Sequence, residues 1–248
     1  MLGLAVATLL VLLLLGAAAG VVWLRNADLT PLAARQASAA LGRAVTIGQL
    51  EIDWGDPIRV EISDLAIANA PWGSRKDMIR IGRVAALLDA GALWRGQLRY
   101  ERLRIVDADI VLERDEDGTG NWKFLGDSGG GGFAIVPKDR TQFPTLIDFA
   151  GEHGHITYRT RSGNILDIVL DQVAIAAPDD STPVRLQASG AYNDVAVTLA
   201  ATTDSFTALR DANQPFGMDF TVTGKDTTVA FQGTSMEPLD FDGMRGDL

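Results

Sequence analysis

The sequence predicts a mainly β protein carried behind an N-terminal membrane-spanning helix and a short second helix. Three observations predict it. The chain starts with an uncharged apolar run, its hydropathy period changes from helical to two near Val45, and turn signals separate the alternating runs that follow.

The apolar run extends from Leu2 to Leu24 without a charged side chain. As a helix it would be roughly 34 Å long, against about 30 Å of hydrocarbon in a bilayer. A cleaved signal peptide is the alternative, with Ala17 and Ala19 as a small-residue cleavage pattern. Such a leader has a basic n-region and a shorter apolar core, so an uncleaved anchor over residues 1–25 is expected. Arg25, Arg35 and Arg43 follow the run, and taken alone they would favour a cytoplasmic C-terminus.

Thr30-Pro31 is a helix start, with Thr30 as N-cap and Pro31 in the first turn, and Gly42 is a helix stop. Beyond Val45, Leu50, Ile52 and Trp54 alternate with Glu51 and Asp53. Ile58, Val60 and Ile62 alternate with Arg59 and Glu61. Leu65 and Ile67, Ile79 and Ile81, Leu103 and Ile105, and Ile110 and Leu112 continue the pattern. Such alternation predicts half-buried antiparallel strands with one apolar and one wet face. Asp117-Gly118 predicts a hairpin turn. The glycine-rich stretch at 126–140 predicts a loop or linker. Strands are expected again over Ile165–Ile175, Val184–Ala191, Val195–Ala200, Phe216–Val222 and Thr227–Gln232, with a short helix near Ser205–Arg210.

Little in the chain points to catalysis. It is acidic, with 32 Asp and Glu against 22 Lys and Arg, a net charge of −10, so a nucleic-acid partner is not expected. There is no cysteine, which removes disulfides and thiol chemistry. The two histidines, His153 and His155, would share one face of a regular strand, but a stable metal site needs three or four ligands. Asp115, Asp117 and Thr119 imitate the start of a calcium loop, yet its closing position is Gly126. No phosphate loop or nucleophile elbow occurs. The expectation is a non-enzyme without a cofactor or metal.

Several segments in order resemble the AsmA family of bacterial envelope proteins. After the anchor come Leu41-Gly42-Arg43-Ala44-Val45-Thr46-Ile47-Gly48, Ile52-Asp53-Trp54, Asp64-Leu65-Ala66-Ile67-Ala68-Asn69 and Leu93-Trp94-Arg95-Gly96. Asp117-Gly118-Thr119-Gly120-Asn121-Trp122 is the most distinctive, and Gly154-His155-Ile156-Thr157-Tyr158 follows. The resemblance implies an inner-membrane, single-pass protein with its bulk in the periplasm, taking part in outer-membrane biogenesis and lipid homeostasis. It also implies an elongated, curved antiparallel sheet forming a groove, as in bridge-like lipid-transfer proteins. The implied layout is an anchor at 1–25, a β domain at 26–125, a glycine-rich loop at 126–140, and a continuation of the sheet at 141–248 that is truncated at its C-terminus.

The expected partners are a phospholipid or other envelope lipid, the inner membrane and outer-membrane components. Few helices are available to cover the apolar strand faces, so either two sheets close on each other or the faces line a channel. Ile52, Val60, Ile62, Leu103, Ile105, Ile110 and Leu112 are the candidate lipid-contacting residues. The other reading is a non-catalytic periplasmic scaffold affecting outer-membrane protein assembly.

Overall fold

The computed structural model describes residues 28–123, 140–238 and 245–247. The expected anchor, and the glycine-rich loop up to residue 139, lie outside the described residues. Among the described residues, no helix is long and apolar enough to cross a membrane.

Helix α1 runs over Thr30–Leu41, with Pro31 in its first turn and Gly42 in the left-handed conformation (φ 64°) that ends it. Thr30 is not the N-cap; that position falls to Leu29, which has no side-chain cap. The Asp28 carboxylate accepts the Thr30 N–H at 2.9 Å. The Thr30 hydroxyl accepts the Leu50 N–H at 3.1 Å, tying the helix to the sheet rather than to its own first turn.

Among the described residues, thirteen strands form one curved, open sheet. The first half holds β1 (Val45–Thr46), β2 (Gln49–Asp53), β3 (Ile58–Ala68), β4 (Asp77–Leu88) and β5 (Arg99–Glu113), with α2 (Ala90–Trp94) between β4 and β5. After a 3-10 turn at Arg140–Gln142 come β6 (Thr145–Leu146), β7 (Asp148–Arg159), β8 (Ile165–Ala176), β9 (Val184–Tyr192) and β10 (Val195–Thr203). Then follow α3 (Phe206–Arg210), β11 (Phe216–Thr223), β12 (Thr228–Ser235) and β13 (Arg245–Asp247). Each later strand expected from alternation is present, with its ends moved by a few residues.

The sheet is mixed, which corrects the expectation of a purely antiparallel one. Its order is β1-β3-β4-β5-β7-β8-β9-β10-β11-β12-β13, with β2 on β3 and β6 on β5. Every junction is antiparallel except β5–β6 and β5–β7. The chain leaves β5 at Glu113 and re-enters at Thr145 beside Arg99, at the opposite end of the strand. A same-direction neighbour needs such a long crossover, and the segment after Glu113 supplies it.

A row of kinks runs across the strands. Strand β9 alternates regularly, and its partners Leu170↔Gly190 and Val173↔Ala188 place Leu170 and Val173 on the same side, with Asp171 as a bulge. Following the pairings outward, the same three-residue step separates Gly151 from Gly154, Ile105 from Ala108, Val84 from Ile81 and Ile62 from Leu65. Asp64, Asp107 and His153 lie on this line with φ of 53°, 56° and 53°. Glycine fills the tight places between them. A Cβ on Gly48 would stand 2.9 Å from Asp64 Cβ, and one on Gly82 would stand 3.1 Å from Asp107 Cβ. Because β3, β4, β5, β7 and β8 each shift phase at one level, their apolar residues stay on the same side as those of the regular strands.

Two clusters hold this side at opposite strand ends. Leu41 and Ala37 of α1 pack with Val45, Ile67, Met78 and Ile79. At the other end, Phe206 and Leu209 of α3 pack with Ala177, Val184 and Phe216. Apolar burial at about 25 cal/mol per Å² makes these clusters the main attachment of both helices.

Candidate functional site

Between the two helix-covered corners, the apolar side of the sheet is only half-buried. Ile52, Val60, Ile62, Leu103, Ile105, Ile110 and Leu112 all lie on it, each of intermediate exposure. They are brought together by direct pairing: Ile52↔Val60, Val60↔Ala86, Ala86↔Leu103, Ile62↔Val84 and Val84↔Ile105. The same side continues through Ile156 and Ile168 into β9 and beyond.

Where it passes under α3 it deepens into a cleft of about 530 Å³, within the range of small-molecule sites. The walls are Leu186, Leu199, Met218, Phe220 and Val222 from the sheet, closed by Phe206 and Leu209 of the helix. Phe143 stacks on Phe206 with ring centroids 6.2 Å apart, and Phe220 on Phe231 at 5.2 Å. None of the seven residues expected from sequence lines this cleft. Its signal was present in the alternation of Phe216, Met218, Phe220 and Val222, but the cleft itself depends on where α3 lies.

That position is fixed by two arginines. Arg140, only 8% exposed, donates to the carbonyls of Leu209, Ala208, Asp211, Gln214 and Met236. It thus satisfies orphan carbonyls at the C-terminal end of α3. Arg140, the last residue of the expected glycine-rich loop or linker, opens the 3-10 turn and is buried. Arg210 donates to the Phe143 carbonyl at 2.8 Å, to the Thr145 hydroxyl at 2.6 Å and to Asp180 at 3.2 Å. The Thr145 hydroxyl donates to Asp180 in turn. Burial pushes the Asp180 carboxyl up, but these donors outweigh it and hold the group below its ordinary value.

Beside the cleft, and sharing Phe143 with it, lies a polar pocket of about 790 Å³. Arg95 and Arg99 line it from the α2 region, and Thr145, Asp180 and Arg210 from the other half of the chain.

The far side of the first half is charged. Arg83 meets Glu61 at 2.7 Å, Arg104 meets Asp148 at 2.6 Å and Arg75 meets Asp109 at 2.8 Å. The hydrogen bond from Arg104 holds the Asp148 carboxyl below its usual range. Both histidines sit here too, but not as a regular strand would place them. His153 takes a left-handed conformation on the kink line, 3.4 Å from Asp107. His155 stays in the ladder, with Nε2 2.7 Å from Asp167. Among the described residues, no group of three or more histidine and acidic side chains is placed to hold a metal.

The acidic turn at Asp115 is self-contained. Asp115 Oδ1 accepts the Thr119 N–H at 2.7 Å, and the Gly118 N–H reaches the Asp115 carbonyl at 3.0 Å. Gly118 has φ 83° there, as the Asp-Gly signal predicts. The following Asn121 turns inward and is fully buried. Its amide donates to Asn69 and to the Val111 carbonyl, and its oxygen accepts the Glu113 N–H. Trp122 lies against Tyr158 at 6.0 Å, with the Arg114 guanidinium 4.8 Å from its ring centroid. The most distinctive sequence segment therefore ties β5 to the β3–β4 loop, and its part is structural.

The model of the AsmA family matches residues 1–130. The chain belongs to the AsmA family. The match covers the stretch that carries the DLAIAN and DGTGNW segments, and so the Asn69–Asn121 contact. Membership of the AsmA family suggests an envelope-related role for the chain. No curated protein matches it.

Proposed function

We propose that this AsmA-family chain binds acyl chains of envelope lipids along the apolar side of its sheet and conducts them between the inner and outer membranes. The observation that carries this is the continuity of that side from Ile52 to Val222, kept in phase by the kink row and ending in the 530 Å³ cleft. Moving an acyl chain through water costs about 0.8 kcal/mol per methylene, so a 16-carbon tail faces roughly 12 kcal/mol. A half-buried apolar wall lowers that cost, while the ion-paired far side keeps the sheet wetted. The work is non-catalytic and needs no cofactor. Residues 1–25 anchor the chain in the inner membrane, with its bulk in the periplasm.

The test places a photo-crosslinking amino acid at Ile105 or Leu199, and at Gln187 as a control on the far side, in the full chain within bacterial membranes. Lipid adducts at the first two positions and not at Gln187 are expected. Adducts at none of the three, or equally at all three, would sink the proposal.

A further inference from the structure

The hairpin tip formed by α2 carries an apolar surface that the sheet does not use. Trp94 is 91% exposed, Leu93 42% and Leu98 40%, whereas Ala92 points inward at 1%. This geometry is built rather than frayed. The Asp89 carboxylate accepts the Ala92 N–H at 2.7 Å, and Gly96 takes φ 74° to turn the chain back toward β5. Asp89 also stands 3.8 Å from Arg99, so its charge is already engaged.

From Ala90 to Arg99 there is no carboxylate, and Arg95 lies exposed beside Trp94. In a chain of net charge −10, the tip is a small basic and apolar island. We propose that the α2 tip docks the protein on the interfacial layer of an anionic phospholipid bilayer. The tryptophan and two leucines enter the headgroup boundary, where an amphipathic ring is most stable. Arg95 lies at the depth of the lipid phosphates. An anionic surface repels the acidic remainder, so charge complementarity selects this tip as the point of approach. A convex hairpin end also suits a soft interface, which needs no shape-matched pocket to receive it.

The location gives the contact a use. The polar pocket is lined by Arg95 and Arg99 on one side and Arg210 on the other, and it adjoins the apolar cleft through Phe143. Docking at α2 therefore sets the cleft beside lipid headgroups. The inference stands on the tip itself and goes beyond the lipid-handling reading.

The chain has no cysteine, so single labels are clean. The full chain is held in nanodiscs of phosphatidylethanolamine and phosphatidylglycerol, with a fluorophore on Gln97→Cys at the tip or Lys225→Cys in the β11–β12 turn at the other strand end. A nitroxide-lipid quencher is placed either in the nanodisc or in added vesicles of the same composition. In at least one arm, the label at 97 is quenched severalfold more than the label at 225. Adding Leu93→Ser and Trp94→Ser removes most of that difference. Equal quenching at both positions in both arms, or a difference untouched by the double substitution, overturns the proposal. Quenching without lipid adducts at Ile105 and Leu199 leaves docking standing and removes the lipid-handling reading; adducts without quenching do the reverse.

Discussion

Asn121 Nδ2 donates to Asn69 Oδ1 at 2.9 Å, joining two side chains 52 residues apart in sequence. Glu113 lies in the same knot, 3% exposed, accepting from Asn69 Nδ2 at 3.1 Å and from the Ser74 N–H at 2.8 Å. Gly73 leaves room for it, since a Cβ there would fall 2.2 Å from Asn69 Nδ2. Three separate segments depend on one another through these contacts.

Asn121→Ala leaves the Glu113 N–H and the Val111 carbonyl without partners in a buried place. An unpaired buried polar group costs about 1–3 kcal/mol, so a loss of roughly 3 kcal/mol is expected. Urea unfolding of the full chain measures it, and a loss under 1 kcal/mol would show the knot to be dispensable.

Glu113 also sets an acid limit. Burial pushes its carboxyl up, but the Ser74 and Asn69 hydrogen bonds and the Arg159 charge outweigh this and hold it below the ordinary value. A carboxyl whose folded value is depressed contributes stability above its unfolded value of about 4.3. That contribution is lost as the pH falls through the folded value. Wild type should therefore lose more stability between pH 6 and pH 3 than Glu113→Gln does. Parallel pH slopes for the two would contradict the assignment.

Gly190 faces Val169 so closely that a Cβ would lie 1.9 Å from its carbonyl oxygen. Gly190→Ala must move backbone, and a cost of about 2–3 kcal/mol is expected from overpacking. Gly163 has φ 84° with open space around it, so Gly163→Ala should cost only about 1 kcal/mol, for backbone strain alone. Thermal melts of the pair check the ranking.

Arg140→Met removes the donors to five carbonyls around α3. We expect a destabilisation of about 2 kcal/mol, together with increased binding of an apolar fluorescent dye as the helix lifts from the cleft. A destabilised variant with unchanged dye binding would place the role of Arg140 elsewhere.

Strand content was legible because alternation reports burial directly, as Ile58, Val60 and Ile62 show. Strand direction was not, since Leu103 and Ile105 alternate identically beside a parallel or an antiparallel neighbour. The kinks did leave a mark. Leu103 and Ile105 are odd-numbered, Ile110 and Leu112 even-numbered, and Asp107 stands between them at the phase change. The Thr30 cap failed because the N-cap falls one residue earlier, at Leu29, and the Thr30 hydroxyl accepts the Leu50 N–H of the sheet instead. The cleft was hidden because Arg140 and Leu209 meet across 69 residues, a separation that no window of local periodicity spans.

The aligned kinks also constrain how this sheet can vary. Deleting Gly82 alone would restore strict alternation in β4, with Ile81 and Val84 still on the apolar side, but would leave the strand one residue short of its neighbours β3 and β5. A strand cannot be straightened singly; β3, β4, β5, β7 and β8 would have to lose the residue together. Point insertions and deletions at this level are therefore expected to be the least tolerated in the molecule.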